Sequence, residues 1–153
     1  MAFELTVTGF ADGAEIPALH TCDGANISPS LEWSGEPPGT LSFALIVDDP
    51  DAPNGTWNHW LLYDIPSQVH AIAQGTKPGN KLGVSGRNDF GQLGYGGPCP
   101  PKGHGQHRYY FRLSALNVAS VGLREGENRA TLDTALRGHV LAEATYLGRY
   151  KRG

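Results

Sequence analysis

The chain has 153 residues, 39% of them hydrophobic, with 21 Gly, 11 Pro and a formal net charge of −3. That length suits a single domain over residues 1–153, with a core that needs no metal or disulfide staple. The glycine and proline content argues against a helical protein and for a loop-rich, mostly β one. The scattered Lys and Arg give no footing for nucleic acid, and Arg149, Lys151 and Arg152 read as a solvated end.

In chain order, residues 1–7 lack the charged and then apolar regions of a signal peptide, so a cytoplasmic location is expected. Phe3, Leu5 and Val7 alternate with Glu4 and Thr6 as a strand. Residues 22–40 are broken by glycines and prolines. Ser42 to Asp49 reads as a strand that is apolar on both faces, hence central in a sheet. Its apolar run, Phe43 to Val47, is far too short to span a bilayer. A connection of about seven residues leads to a second strand, Trp57 to Ile65, ended by Pro66, and so short a link favours an antiparallel pair. From Gly86 to Gly105, ends included, stand seven glycines and three prolines. Phe90, Tyr95 and the prolines make this segment an ordered wall rather than a tether. His107 to Leu116 alternates strongly. A helix capped by Thr131 is expected to run through Leu132, Ala135 and Leu136 to about Leu141, although Gly138 weakens its second half. Ala142 to Tyr150 is the last strand.

Two rigid stretches carry ionisable groups: Asp49-Pro50-Asp51-Ala52-Pro53 and the segment from Gly97 to Tyr109, with Trp57-Asn58-His59-Trp60 between them. Strand parity groups Asp49 with Phe43, Leu45 and Val47. It groups His59 with Trp57, Leu61 and Tyr63, and His107 with Tyr109, Phe111 and Leu113. If the three strands meet at one edge, Asp49, His59 and His107 close one mouth of an apolar layer. Each residue also has a plainer reading. Asp49 and Asp51 suit tight turns, His59 suits a core histidine with one backbone bond, and His104, between glycines, reads as surface polarity. Lys102 reads as solvent-facing and Cys99 as a packed thiol.

Sharper chemistries fail. The position six residues after Cys99 is Gly105 rather than a phosphate-holding arginine, and the sequence has neither a G-x-S-x-G elbow nor a P-loop. Asp49, His59 and His107 have the composition of a two-His-one-carboxylate set, but no metal or other cofactor is expected. Cys22 and Cys99 lack zinc-type spacing. They are able to pair, but a reduced pair is the default reading.

The chain closely resembles the phosphatidylethanolamine-binding protein family, in particular its bacterial and archaeal Raf-kinase-inhibitor-like branch. The matching segments are Thr21-Cys22-Asp23-Gly24, Ile27-Ser28-Pro29, Leu31-Glu32-Trp33, Asp48 to Pro53, Trp57 to Trp60, Asn88 to Gly91, Gly94 to Gly103, His107-Arg108-Tyr109 and Gly138 to Ala142. The resemblance implies an antiparallel β-sandwich with one or two short helices. It also implies an anion pocket formed by Asp49, Asp51, His59, Tyr95, Gly97, Pro98, Cys99, Pro101, His107 and Tyr109. A cis peptide is expected at Ala52–Pro53. Cys22 and Cys99 both lie in motif segments, so the resemblance leaves room for a redox-linked disulfide at the pocket. Eukaryotic members continue into a C-terminal helix beside the pocket, whereas this chain ends soon after Tyr150. That implies an open mouth, a homodimer and a weaker case for kinase regulation.

The leading expectation is therefore a non-enzymatic binder of a small anion: phosphate, a phosphoethanolamine-type head group or a carboxylate. Protonated His59 or His107 is expected to supply the charge, with Tyr109 and backbone N–H groups as further donors. The alternatives are a protein-interaction inhibitor of a protease or kinase, and a hydrolase using the Asp and His residues as acid and base.

Overall fold

A computed structural model describes residues 2–153. It contains two antiparallel sheets. The smaller is built from β1 (Glu4–Val7), β2 (Leu31–Ser34) and β5 (Ala71–Ile72), in the order β1-β2-β5. The larger comprises β3 (Ser42–Asp49), β4 (Trp57–Pro66), β6 (Val84–Ser85), β7 (His107–Leu116) and β8 (Val140–Tyr150), in the order β6-β4-β3-β7-β8. The sheets enclose the main core. Leu5, Val7, Leu31 and Trp33 on one side meet Phe43, Leu45, Val47, Trp60, Leu62, Phe111 and Leu113 on the other. This is the expected sandwich.

β3 is buried along all of its length because its other face is covered as well. Ala44 and Ile46, with Leu61 and Tyr63 of β4, pack beneath Leu132 and Leu136 of α1 (Arg129–Leu136). The helix starts earlier and stops sooner than its apolar spacing implies. Asn128, not Thr131, is the cap: its side chain accepts the Thr131 backbone N–H at 2.9 Å. Gly138 takes a left-handed φ of +80°, and β8 begins at Val140, so the residues up to Leu141 expected in the helix belong to a turn and a strand.

The pairing of β3 with β4 steps between Val47/Trp60 and Asp48/Asn58, leaving His59 as an extra residue. Such a bulge places two successive side chains on one side of the strand. Trp60 therefore enters the inter-sheet core while Leu61 and Tyr63 face the helix. The expected parity of His59 with Leu61 and Tyr63 is corrected accordingly; its parity with Trp57 holds. No peptide bond is cis among the described residues, so Ala52–Pro53 is trans and the tight turn does not need the cis form. Among the described residues no helix is long and apolar enough to cross a membrane.

Candidate functional site

At the end of β3, antiparallel pairing brings the last residue of that strand beside the first residues of β4 and β7. The chain thereby gathers Asp49, Trp57, His59, His107 and Tyr109 around a cavity of about 200 Å³. Ala52 and Pro53 of the β3–β4 connection, Phe90, and the Cys99-Pro100-Pro101 wall complete it. The volume lies below the range of about 300–1,000 Å³ usual for drug-sized ligands, so the cavity suits a small molecule or group. Trp57 and Phe90 form an edge-to-face pair with centroids 5.5 Å apart, and both are partly exposed at the rim.

Asp49 and His107 make the polar floor. Their side chains are 4% and 2% exposed, and His107 Nδ1 lies 2.6 Å from Asp49 Oδ2. Asp49 Oδ1 accepts the Asp51 backbone N–H at 2.7 Å, which fixes the carboxylate from its other side. An ionised carboxylate only accepts, so Nδ1 of His107 carries the proton between them. The second nitrogen of His107, Nε2, lies 2.6 Å from Nδ1 of His104.

His59 behaves differently. Its Nδ1 lies 2.7 Å from the Gly96 carbonyl oxygen and therefore carries a hydrogen. Burial holds its pKa below the ordinary value, and the Gly96 carbonyl and the Asp49 charge offset that only in part. Its Nε2 is then a lone-pair acceptor. The ring stands edge-on to Tyr109 and Phe90, with centroids 5.2 and 5.5 Å away. This corrects the expectation that His59 supplies positive charge. Burial, with the charge of Asp49, pushes the Tyr109 phenol well up, which keeps it a neutral donor. Among the described residues no lysine or arginine lines the cavity, and the Asp49–His107 pair stands on its floor.

Several expected site residues stand beside the cavity rather than on it. Asp51 forms a two-pronged pair with Arg108, with Nε–Oδ2 and Nη2–Oδ1 both 2.8 Å, and also accepts the Arg108 backbone N–H. The guanidinium brings the Asp51 carboxyl down to about 2. Asp51 thus clamps the start of β7, next to His107. Tyr95, Gly97 and Pro98 lie behind the wall. The Tyr95 hydroxyl donates to the His20 carbonyl at 2.7 Å, and its ring meets Trp60 edge-on. The Gly97 N–H donates to Asn26 Oδ1, and the Pro98 carbonyl accepts the Cys22 N–H. Cys99 and Pro101 do line the cavity.

Cys22 and Cys99 are joined by a disulfide, with Cα atoms 5.4 Å apart, and this overturns the reading of a reduced pair. Spacing along the sequence is blind to the proximity of residues 77 positions apart. Disulfides persist chiefly in oxidising surroundings, so cysteine usage no longer argues for a cytoplasmic location.

Ala52, Pro53, Trp57 and Pro100 line the cavity from within the stretches that the sequence singled out, and Phe90 from the glycine-rich segment read as a wall, although none of the five was named as a ligand-binding residue. Trp57 was accessible through its shared parity with His59. Phe90 carries no local signal, since a loop alone brings it to the rim.

The sequence profile of the family described as phosphatidylethanolamine-binding protein matches residues 6–151. A UPF0098 protein of Aquifex aeolicus is 50% identical over 151 residues, covering 97% of this chain and 88% of that protein. The crystal structure of Escherichia coli YbcL, described as a member of the mammalian family, matches with a TM-score of 0.91 at 37% identity over 99% of both chains. The Chlamydia trachomatis homologue CT736 matches with a TM-score of 0.90 at 38% identity, again over 99% of both chains. Motifs, architecture and relatives agree that the chain belongs to the phosphatidylethanolamine-binding protein family.

Proposed function

We propose that this protein binds a small oxyanion, best a monoanionic phosphate or phosphomonoester head group, without turning it over. The observation that carries this reading is the buried Asp49–His107 pair at 2.6 Å on the floor of a small aromatic-walled cavity. Asp49 stabilises an imidazolium at His107, whose outer N–H is a charge-assisted donor to an anionic oxygen. Neutral Tyr109 is a second donor. Neutral His59 has only a lone pair to give, which repels a bare anionic oxygen but accepts a P–OH or a carboxylic O–H. The family name and the relatives' structures are consistent with a head-group site.

Calorimetric titration with inorganic phosphate at pH 5.5 and 8 tests the proposal. Affinity should rise at the lower pH, where imidazole side chains gain protons and inorganic phosphate is the dihydrogen monoanion, with P–OH groups to offer. His107→Ala should abolish binding with the circular dichroism spectrum unchanged. Equal affinities at the two pH values, or a His107→Ala variant that binds as well as the parent, would remove the proposal. Turnover of phosphoester or aryl ester substrates that is lost in His59→Ala would replace binding with hydrolysis.

A further inference from the structure

Both ring nitrogens of His107 are taken within the chain itself. Nδ1 faces Asp49 Oδ2 at 2.6 Å, and Nε2 faces His104 Nδ1 at 2.6 Å. Only one proton fits between the two imidazoles. Either His104 donates to a neutral His107, or an imidazolium at His107 donates to His104. In both cases the outer nitrogen of His107, the one an anion needs, is already occupied.

The occupant is loosely held. His107 is buried, but His104 is exposed and stands between Gly103 and Gly105. Both glycines have left-handed φ values, +76° and +93°, and a Cβ on either would meet nothing within 4 Å. Backbone bonds from Gly103 N to Arg152 O and from His104 N to Pro101 O, both 3.1 Å, hold the turn. The imidazole can therefore leave without disturbing the disulfide-tied wall at Cys99.

We infer that His104 is an internal competitor for the ligand: it caps Nε2 of His107, and a ligand enters by displacing it. The inference rests on the anion-binding reading above and narrows it. To displace a neutral imidazole from an imidazolium, an incoming acceptor needs the stronger, charge-assisted bond that an anionic oxygen makes. A neutral carbonyl or hydroxyl lacks that advantage. His104 thus excludes uncharged ligands of the same size and admits oxyanions.

The test compares inorganic phosphate binding to the parent protein, His104→Ala, His107→Ala and the double variant by calorimetry. Removing the competitor should tighten binding by about 2- to 10-fold, the range given by one net hydrogen bond released from a closed state. The double variant should match His107→Ala, because His104 acts only through His107. Unchanged or weaker binding in His104→Ala overturns the competitor role. A second readout uses the unaltered protein: nitrogen–nitrogen scalar coupling across the His104–His107 bond should be visible without phosphate and vanish at saturation. Coupling that persists with phosphate bound also overturns it. If the parent binds phosphate through His107 but His104→Ala gains nothing, only the competitor falls. If neither binds phosphate, both readings fall.

Discussion

Burial holds the His59 imidazole below its ordinary pKa of 6.5, and this has a consequence for stability. As pH falls through 6.5 the unfolded chain takes up a proton at His59 that the native state does not, so folding weakens toward acid pH. The contribution is at most about 1.4 kcal/mol per pH unit. Urea unfolding at pH 7.5 and 5.5 should show a smaller loss in His59→Asn than in the parent; equal losses would clear His59 of the effect. Gly97 is a second residue whose identity is fixed by its surroundings. A Cβ there would strike the His20 carbonyl oxygen and Asn26 Oδ1, both within the loop packing behind the wall. Gly97→Ala should cost about 1–3 kcal/mol, as overpacking does, and an unchanged unfolding midpoint would show that the wall gives way freely.

Among the elements, the β4 bulge has the greatest functional weight. It lets His59 and Trp60 share one side, so that the imidazole reaches the pocket while the indole remains in the core. Strict alternation along Trp57–Ile65 has no means of announcing this, because a bulge is defined by the partner strand. The long strands β3, β4 and β7 were legible from their apolar patterns. β2, β5 and β6 were not, since runs of two to four residues acquire strand character only from the neighbours they pair with. The helix was legible in its buried Leu132 and Leu136 but not in its ends. Asn128→Ala should cost about 1 kcal/mol by leaving the Thr131 N–H without its cap, and chemical denaturation measures it. No loss in that variant would mean that water replaces the cap.

At the scale of the molecule, the Cys22–Cys99 disulfide closes a loop between positions 77 residues apart and ties the pocket wall to the turn after the 3-10 segment at Ala18–His20. Cys22→Ser should destabilise the protein by about 2–5 kcal/mol, mainly by freeing the unfolded chain. The parent under strong reductant should unfold at the same denaturant concentration as the variant. Identical midpoints with and without reductant in the parent would show that the bond adds nothing.

The sequence by itself determined a mostly β chain and its central strand, because hydrophobic alternation is a local property that any pleated strand must express, while the sandwich followed from the family resemblance. It also nominated Asp49, His59 and His107, because ionisable groups at strand ends share a face by parity, and Tyr109 through the family motif. Tertiary structure alone decided how those groups divide their work. Asp51 turns to Arg108, Tyr95 retires behind the wall, and His59 is neutral by burial. The disulfide and the His104–His107 contact likewise depend on which loops meet. Distances between loops and the desolvation of a buried ring are set by the packed whole, and neither is written in any short stretch of the chain.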